Sequence, residues 1–117
     1  MANPVVHFEI VGKDAAKTQQ YYANLFGWNV DANNPMSYGM VDNGGQGING
    51  GIAGTTNGDQ PRTMFYVAVP DLQATLDRAV SLGGKVLMPV TEIPNTVTLA
   101  MFTDPDGNAI GLLKDAM

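Results

Sequence analysis

The sequence predicts an α+β protein in which one βαβββ unit is written twice. Three observations carry this. Strand-like and helix-like stretches follow one another in the same order in both halves, at a spacing of roughly 57 to 59 residues, which is a period suited to a repeated supersecondary unit. Each half contains a helix opened by an aspartate and stopped by glycine: Asp14 to Gly27 and Asp71 to Gly84 span the same thirteen steps. The stretch "DPDGN" then joins the last two extended segments as a tight turn, since Pro105 presets φ and Gly107 accepts the left-handed position.

Val5 to Val11 alternates as a strand, with Val6, Phe8 and Ile10 on one face and Val5, His7, Glu9 and Val11 on the other. The first helix follows from Asp14, its N-cap, with Ala15, Thr18, Tyr22 and Leu25 on one stripe. Trp28 to Ala32, Ser37 to Asp42 and Gln46 to Ala53 are three short extended segments separated by Asn, Pro and Gly. The polar, patternless "GTTNGDQPR" marks the connection between halves. The order then repeats, with Thr63 to Val69 as a strand, Asp71 to Leu82 as a capped helix, and Val86 to Val90, Thr96 to Thr103 and Asn108 to Lys114 as extended segments. This gives a first module over about 1–54, a linker over about 55–62 and a second module over about 63–117, in one domain of ordinary size.

With 44% hydrophobic and 15% charged residues, the composition is that of a globular chain. Eleven acidic against six scattered basic residues give a net charge of −5, which repels phosphate backbones and argues against nucleic acid. No apolar run approaches the roughly eighteen residues of a membrane span, and the N-terminus lacks a signal pattern; a soluble, cytoplasmic protein is expected. Cysteine is absent, so disulfides, thiolate ligands and a cysteine nucleophile are excluded together.

Gly45, Gly47 and Gly50 satisfy GxGxxG, but no helix can open after them, so the dinucleotide reading fails. These glycines instead permit bends, bulges and close approach, either by backbone or by a ligand lying against a strand without side chains. No serine elbow accompanies the single histidine, so a serine triad is excluded as well.

Taken together, "VVHFEI", "YYANLFGW", "GINGGIAG" and "DPDGN" within the repeated unit resemble the vicinal oxygen chelate superfamily, which includes glyoxalases, bleomycin resistance proteins and extradiol dioxygenases. The likeness spans essentially the whole chain. It implies a curled, cup-shaped mixed sheet with helices packed outside, a small-molecule pocket and a homodimer. Metal-using members hold a divalent cation on His and Glu from both modules, and resemblance puts His7 at the first such position. Tyr66, or Phe65 in a register slipped by one, stands at the second-module counterpart. Gly111 of "GNAIGLL" stands where a glutamate is usual, and "GINGGIAG" offers no carboxylate. A lone imidazole does not hold such a cation usefully; no metal or other cofactor is expected, with His7 as the ligand if there is one.

His7 and Glu9 stand two apart and therefore share a face, which the resemblance makes the interior of the cup. They are the candidate catalytic pair, a carboxylate orienting an imidazole, or else members of a satisfied buried network. Tyr66, Trp28, Met64 and Met101 join His7 and Glu9 as candidate ligand contacts, with Phe102 and Tyr38 as further apolar lining. Phe65, Val67 and Val69 are expected beneath the second helix. The favoured reading is a metal-free protein binding a small, partly apolar molecule; the alternative is a metal-dependent lyase or isomerase of the glyoxalase type using His7 and Glu9.

Overall fold

The computed structural model describes residues 2–55, 59–94 and 96–114. The element order is β1 (Val5–Gly12), α1 (Ala15–Phe26), β2 (Asn29–Asp31), β3 (Gly39–Asp42), β4 (Asn49–Gly54), β5 (Arg62–Val69), α2 (Leu72–Ser81), β6 (Lys85–Ile93), β7 (Val97–Thr103) and β8 (Ala109–Lys114). It is βαβββ twice. Of the connection expected over 55–62, residues 56–58 lie outside the described residues, as do 95 and 115–117 of the expected second module. No described helix is long and apolar enough to cross a membrane.

The chain forms two compact units, His7–Met64 and Met1–Val6 with Phe65–Met117. In the first, the strands run β2-β3-β4-β1, with β1 parallel to β4 and the other pairs antiparallel. In the second, the order is β6-β7-β8-β5, with β5 parallel to β8 and the rest antiparallel. Each sheet is mixed because its helix returns the chain in the direction it left, whereas the later strands are joined by short turns.

Both helices begin where the sequence predicts. The Asp14 carboxylate accepts from the Lys17 amide at 3.2 Å, and Asp71 accepts from the Ala74 amide at 3.0 Å, each satisfying an orphan donor of the first turn. Gly27 at φ 70° and Gly83 at φ 106° close the helices in the left-handed region. In the "DPDGN" turn, Asp104 Oδ1 accepts from the amides of Asp106 and Asn108, and Gly107 adopts φ 91°. Hydrogen bonds from the Asn108 side chain and amide, with help from Asp106 and Gly107, hold the Asp104 carboxyl below its ordinary pKa.

Under α2, the buried Leu72 and Leu76 pack on Val69, Ala100 and Leu112, with Val67 and Phe102 at the margin. Alternation thus puts Ala100 and Phe102 on the helix side of β7, which corrects the expectation that Phe102 lines a pocket with Met101. Phe65 is also corrected. It is 40% exposed, because it sits a further pleat back from Val67, beyond the cluster that α2 covers.

On the α1 stripe, Ala15, Thr18 and Tyr22 are half-buried and only Leu25, 56% exposed, departs from it; no residue of the helix is fully buried. The strands beneath α1 are glycine-rich, so small and polar side chains make the contact. The Thr18 side chain occupies the space a Cβ would need at Gly12, and a Cβ at Gly39 would lie 2.8 Å from the Gln19 side chain. Gln19 Nε2 donates to the carbonyls of Ile52 at 2.9 Å and Ser37 at 3.1 Å, tying the helix to β4 and to the chain entering β3.

Candidate functional site

Strand alternation on β1 sends His7 and Glu9 to one face and Phe8 to the other. The parallel register with β4 sets Phe8 beside Gly50 and Glu9 beside Gly51. The two glycines are covered from opposite sides by this chain's own aromatic rings. The Phe8 ring fills the space a Cβ would need at Gly50, and the Tyr38 ring fills that space at Gly51. The glycine-rich strand is therefore a surface for aromatic rings to lie on.

Tyr38 is set there by a clamped turn. Asn34 Nδ2 donates to the Tyr38 carbonyl at 2.7 Å, and the Tyr38 amide donates to Asn34 Oδ1 at 3.0 Å. Ser37, just before it, takes φ 51°, an uncommon conformation for a residue with a side chain. Its amide donates to the Asn34 carbonyl at 3.0 Å and its carbonyl accepts from Gln19. This turn delivers the Tyr38 hydroxyl to His7 and Glu9.

The hydroxyl stands 2.9 Å from His7 Nε2 and donates to Glu9 Oε1 at 2.9 Å. His7, Tyr38 and Glu9 form one polar chain. Glu9 is 8% exposed and is the one buried charged residue among those described. Burial lowers the His7 pKa below its ordinary 6.5, favouring the neutral ring. A neutral imidazole linked to a carboxylate through a hydroxyl can hold a donor and an acceptor in fixed places, and it can move protons.

The other predicted residues take these positions within their own units. Trp28 packs against Phe8 at 5.2 Å, Phe26 at 5.0 Å and Tyr22 at 5.8 Å between ring centroids, in an aromatic cluster around Phe8. Met64 is buried in β5. In the second unit, Tyr66 is 4% exposed and lies in register with Gly111, which also pairs with the buried Met101. The Tyr66 ring occupies the space a side chain at position 111 would need. An open groove bounded by Lys13, Thr18, Tyr22 and Arg62 contains none of the predicted residues.

Sequence reasoning assigned His7 and Glu9 to one face, which the fold bears out, and took Tyr38 for apolar lining. Its polar role depends on Gly51 lying empty on a strand thirteen residues later. The readable signal was a tyrosine near a glycine-rich strand with no ring of its own.

The family model for the Glyoxalase/Bleomycin resistance protein/Dioxygenase superfamily matches residues 5–112. The chain belongs to that superfamily. Glyoxylase CFP32 of Mycobacterium bovis, a provisional name, is 34% identical over 108 residues, covering 85% of this chain and 41% of the relative. The chain thus spans less than half the length of that relative. A superfamily member from Vibrio splendidus superposes with a TM-score of 0.64 at 18% identity, covering 97% of this chain and all of that one. Methylmalonyl-CoA epimerase from Mycobacterium tuberculosis gives 0.67 at 15% identity, with 97% and 88% covered. At such identities the structural likeness shows the fold alone.

The superfamily's metal-using members require several converging donors. Among the described residues there is no group of three or more His, Cys, Asp or Glu side chains able to hold an ion. The Tyr38 hydroxyl stands between His7 and Glu9, and position 111 is a glycine roofed by Tyr66. Neither His7 with Glu9 in one unit nor Tyr66 with Gly111 in the other is by itself a sufficient donor set for such a cation.

Proposed function

We propose that this chain binds a small, partly apolar molecule without the superfamily's usual metal, using the face of β1 that carries His7 and Glu9. The observation that carries the reading is the Tyr38 hydroxyl held at 2.9 Å from both His7 Nε2 and Glu9 Oε1. A tyrosine hydroxyl is a donor and an acceptor of fixed position, suited to orienting a ligand's polar group while apolar side chains supply contact area. Met64, within the same unit, is the apolar contact in this proposal, and Trp28 supports β1 through Phe8. The proposal includes a cytoplasmic homodimer, supported on the oligomer side by the exposed Val86, Leu87 and Val90 on β6.

Thermal denaturation against a panel of small aromatic and carbonyl compounds tests it. Stabilising compounds are expected to lose their effect in His7→Ala and to be recovered chemically unchanged. Turnover of any of them that disappears with Glu9→Gln would overturn the proposal in favour of a second reading, a glyoxalase-type lyase or isomerase. That second reading draws support from the glyoxylase name of the 34% identical relative.

A further inference from the structure

Within the unit His7–Met64, an open groove lies between the end of β1, the first turns of α1 and the start of β5. Neither His7, Glu9 nor Tyr38 lines it. Its apolar side is formed by Ile10, Tyr22 and Pro61, and its polar side by Lys13, Arg62 and Thr63. The Tyr22 ring is packed against Tyr21, Phe26 and Trp28 at centroid distances of 5.0, 5.9 and 5.8 Å, so the wall it offers is set before anything binds.

The chain has six basic residues and a net charge of −5, yet two of the six meet in this groove. Among the described residues, no acidic side chain lines it. Asp14, next to Lys13, has its carboxylate on the Lys17 amide at 3.2 Å. Arg62 is half-buried, and its Nε is covered without a hydrogen-bond partner among the described residues. A buried donor left unpaired costs stability, and a charged one costs more. We infer that the groove is a second ligand site, for a small apolar carboxylate, in which the Arg62 guanidinium takes the carboxylate through paired N–H bonds, Lys13 adds charge, and Ile10, Tyr22 and Pro61 cover the apolar body.

A carboxylate suits the fork, because Nε–H and one Nη–H lie parallel at the spacing of its two oxygens. A turn about the outer torsions of Arg62 brings the covered Nε to the groove, exchanging an orphan donor for a charge-assisted bond. An uncharged molecule of the same shape leaves that donor unpaired and gains little. A bare inorganic anion meets the two cations but leaves the apolar wall uncovered, so it binds more weakly. The site stands apart from the β1 face of the proposed function, and neither depends on the other.

Phenylacetate is the probe, with 2-phenylethanol as its uncharged analogue and inorganic phosphate as the bare anion. The chain has two arginines, so in ¹⁵N-labelled protein Arg78→Lys assigns the Nε–H signal of Arg62. Phenylacetate is expected to shift that signal, to slow its exchange with water, and to shift the amides of Lys13, Tyr22 and Thr63. Arg62→Gln is expected to weaken binding about tenfold or more, the scale of one lost charge-assisted pair, and Lys13→Gln less. Amide spectra establish that each variant is folded, and His7→Ala is expected to bind phenylacetate as the wild type does. No binding of phenylacetate, equal binding of 2-phenylethanol or phosphate, or a silent Arg62 signal would overturn the inference. So would affinity kept in Arg62→Gln, or affinity lost in His7→Ala, which would move the probe to the β1 face.

Discussion

The Tyr66 ring lies over Gly111, its register partner on β8, and takes up the space in which a side chain at 111 would start. The same device recurs in the first unit, where Tyr38 covers Gly51. The resemblance to metal-using members implies a glutamate at position 111; here the Tyr66 ring occupies the space where such a side chain would start. The glycine and the tyrosine make sense only together.

Gly111→Ala should therefore overpack a buried pair and cost about 1–3 kcal/mol. Gly111→Glu should cost more, because it adds a buried carboxylate to the clash. Urea denaturation measures both. Since the two positions are coupled, Tyr66→Ala combined with Gly111→Ala should be less destabilising than the sum of the single changes.

The single histidine makes stability depend on pH. Burial holds its folded pKa below the 6.5 of a free ring, so the unfolded chain takes up the proton first as pH falls. The contribution is full above pH 6.5 and is lost as pH falls from there through the depressed folded value. Urea midpoints recorded from about pH 8 to about pH 5 should decline across that window, and His7→Gln should flatten the decline. A wild-type curve unchanged by the substitution would remove His7 from this role.

Much of the architecture was legible because its signals are local. Asp14, Gly27, Asp71, Gly83 and the Asp104 turn act within a few residues, and each does in the structure what its chemistry predicts. Pairing His7 with Glu9 needed only the two-residue period of a strand. What escaped was set by register between distant strands. Leu25 was placed on one stripe with Ala15, Thr18 and Tyr22, but the glycines at 12 and 39 bring Thr18 and Gln19 against the strands and leave Leu25 exposed. Tyr38 escaped for the same reason, since nothing near it in sequence shows that Gly51 will lie beneath its ring.

β6 is an edge strand of its sheet, and its Val86, Leu87 and Val90 are exposed. An apolar edge of this kind is a site for association. Light scattering coupled to size exclusion should give twice the mass of the 12.4 kDa chain, and Leu87→Lys should shift the mass toward one chain without unfolding it. A wild-type monomer at all concentrations would contradict the dimer.

The central proposal is that the β1 face carrying His7 and Glu9, linked through the Tyr38 hydroxyl, binds its small molecule without the superfamily's usual divalent cation. Elemental analysis of protein purified without chelator from metal-supplemented medium tests it most directly. The account predicts far less than one equivalent of nickel, zinc or manganese per chain, with no rise in melting temperature when these ions are added. One tightly held equivalent that vanishes in His7→Ala would contradict it.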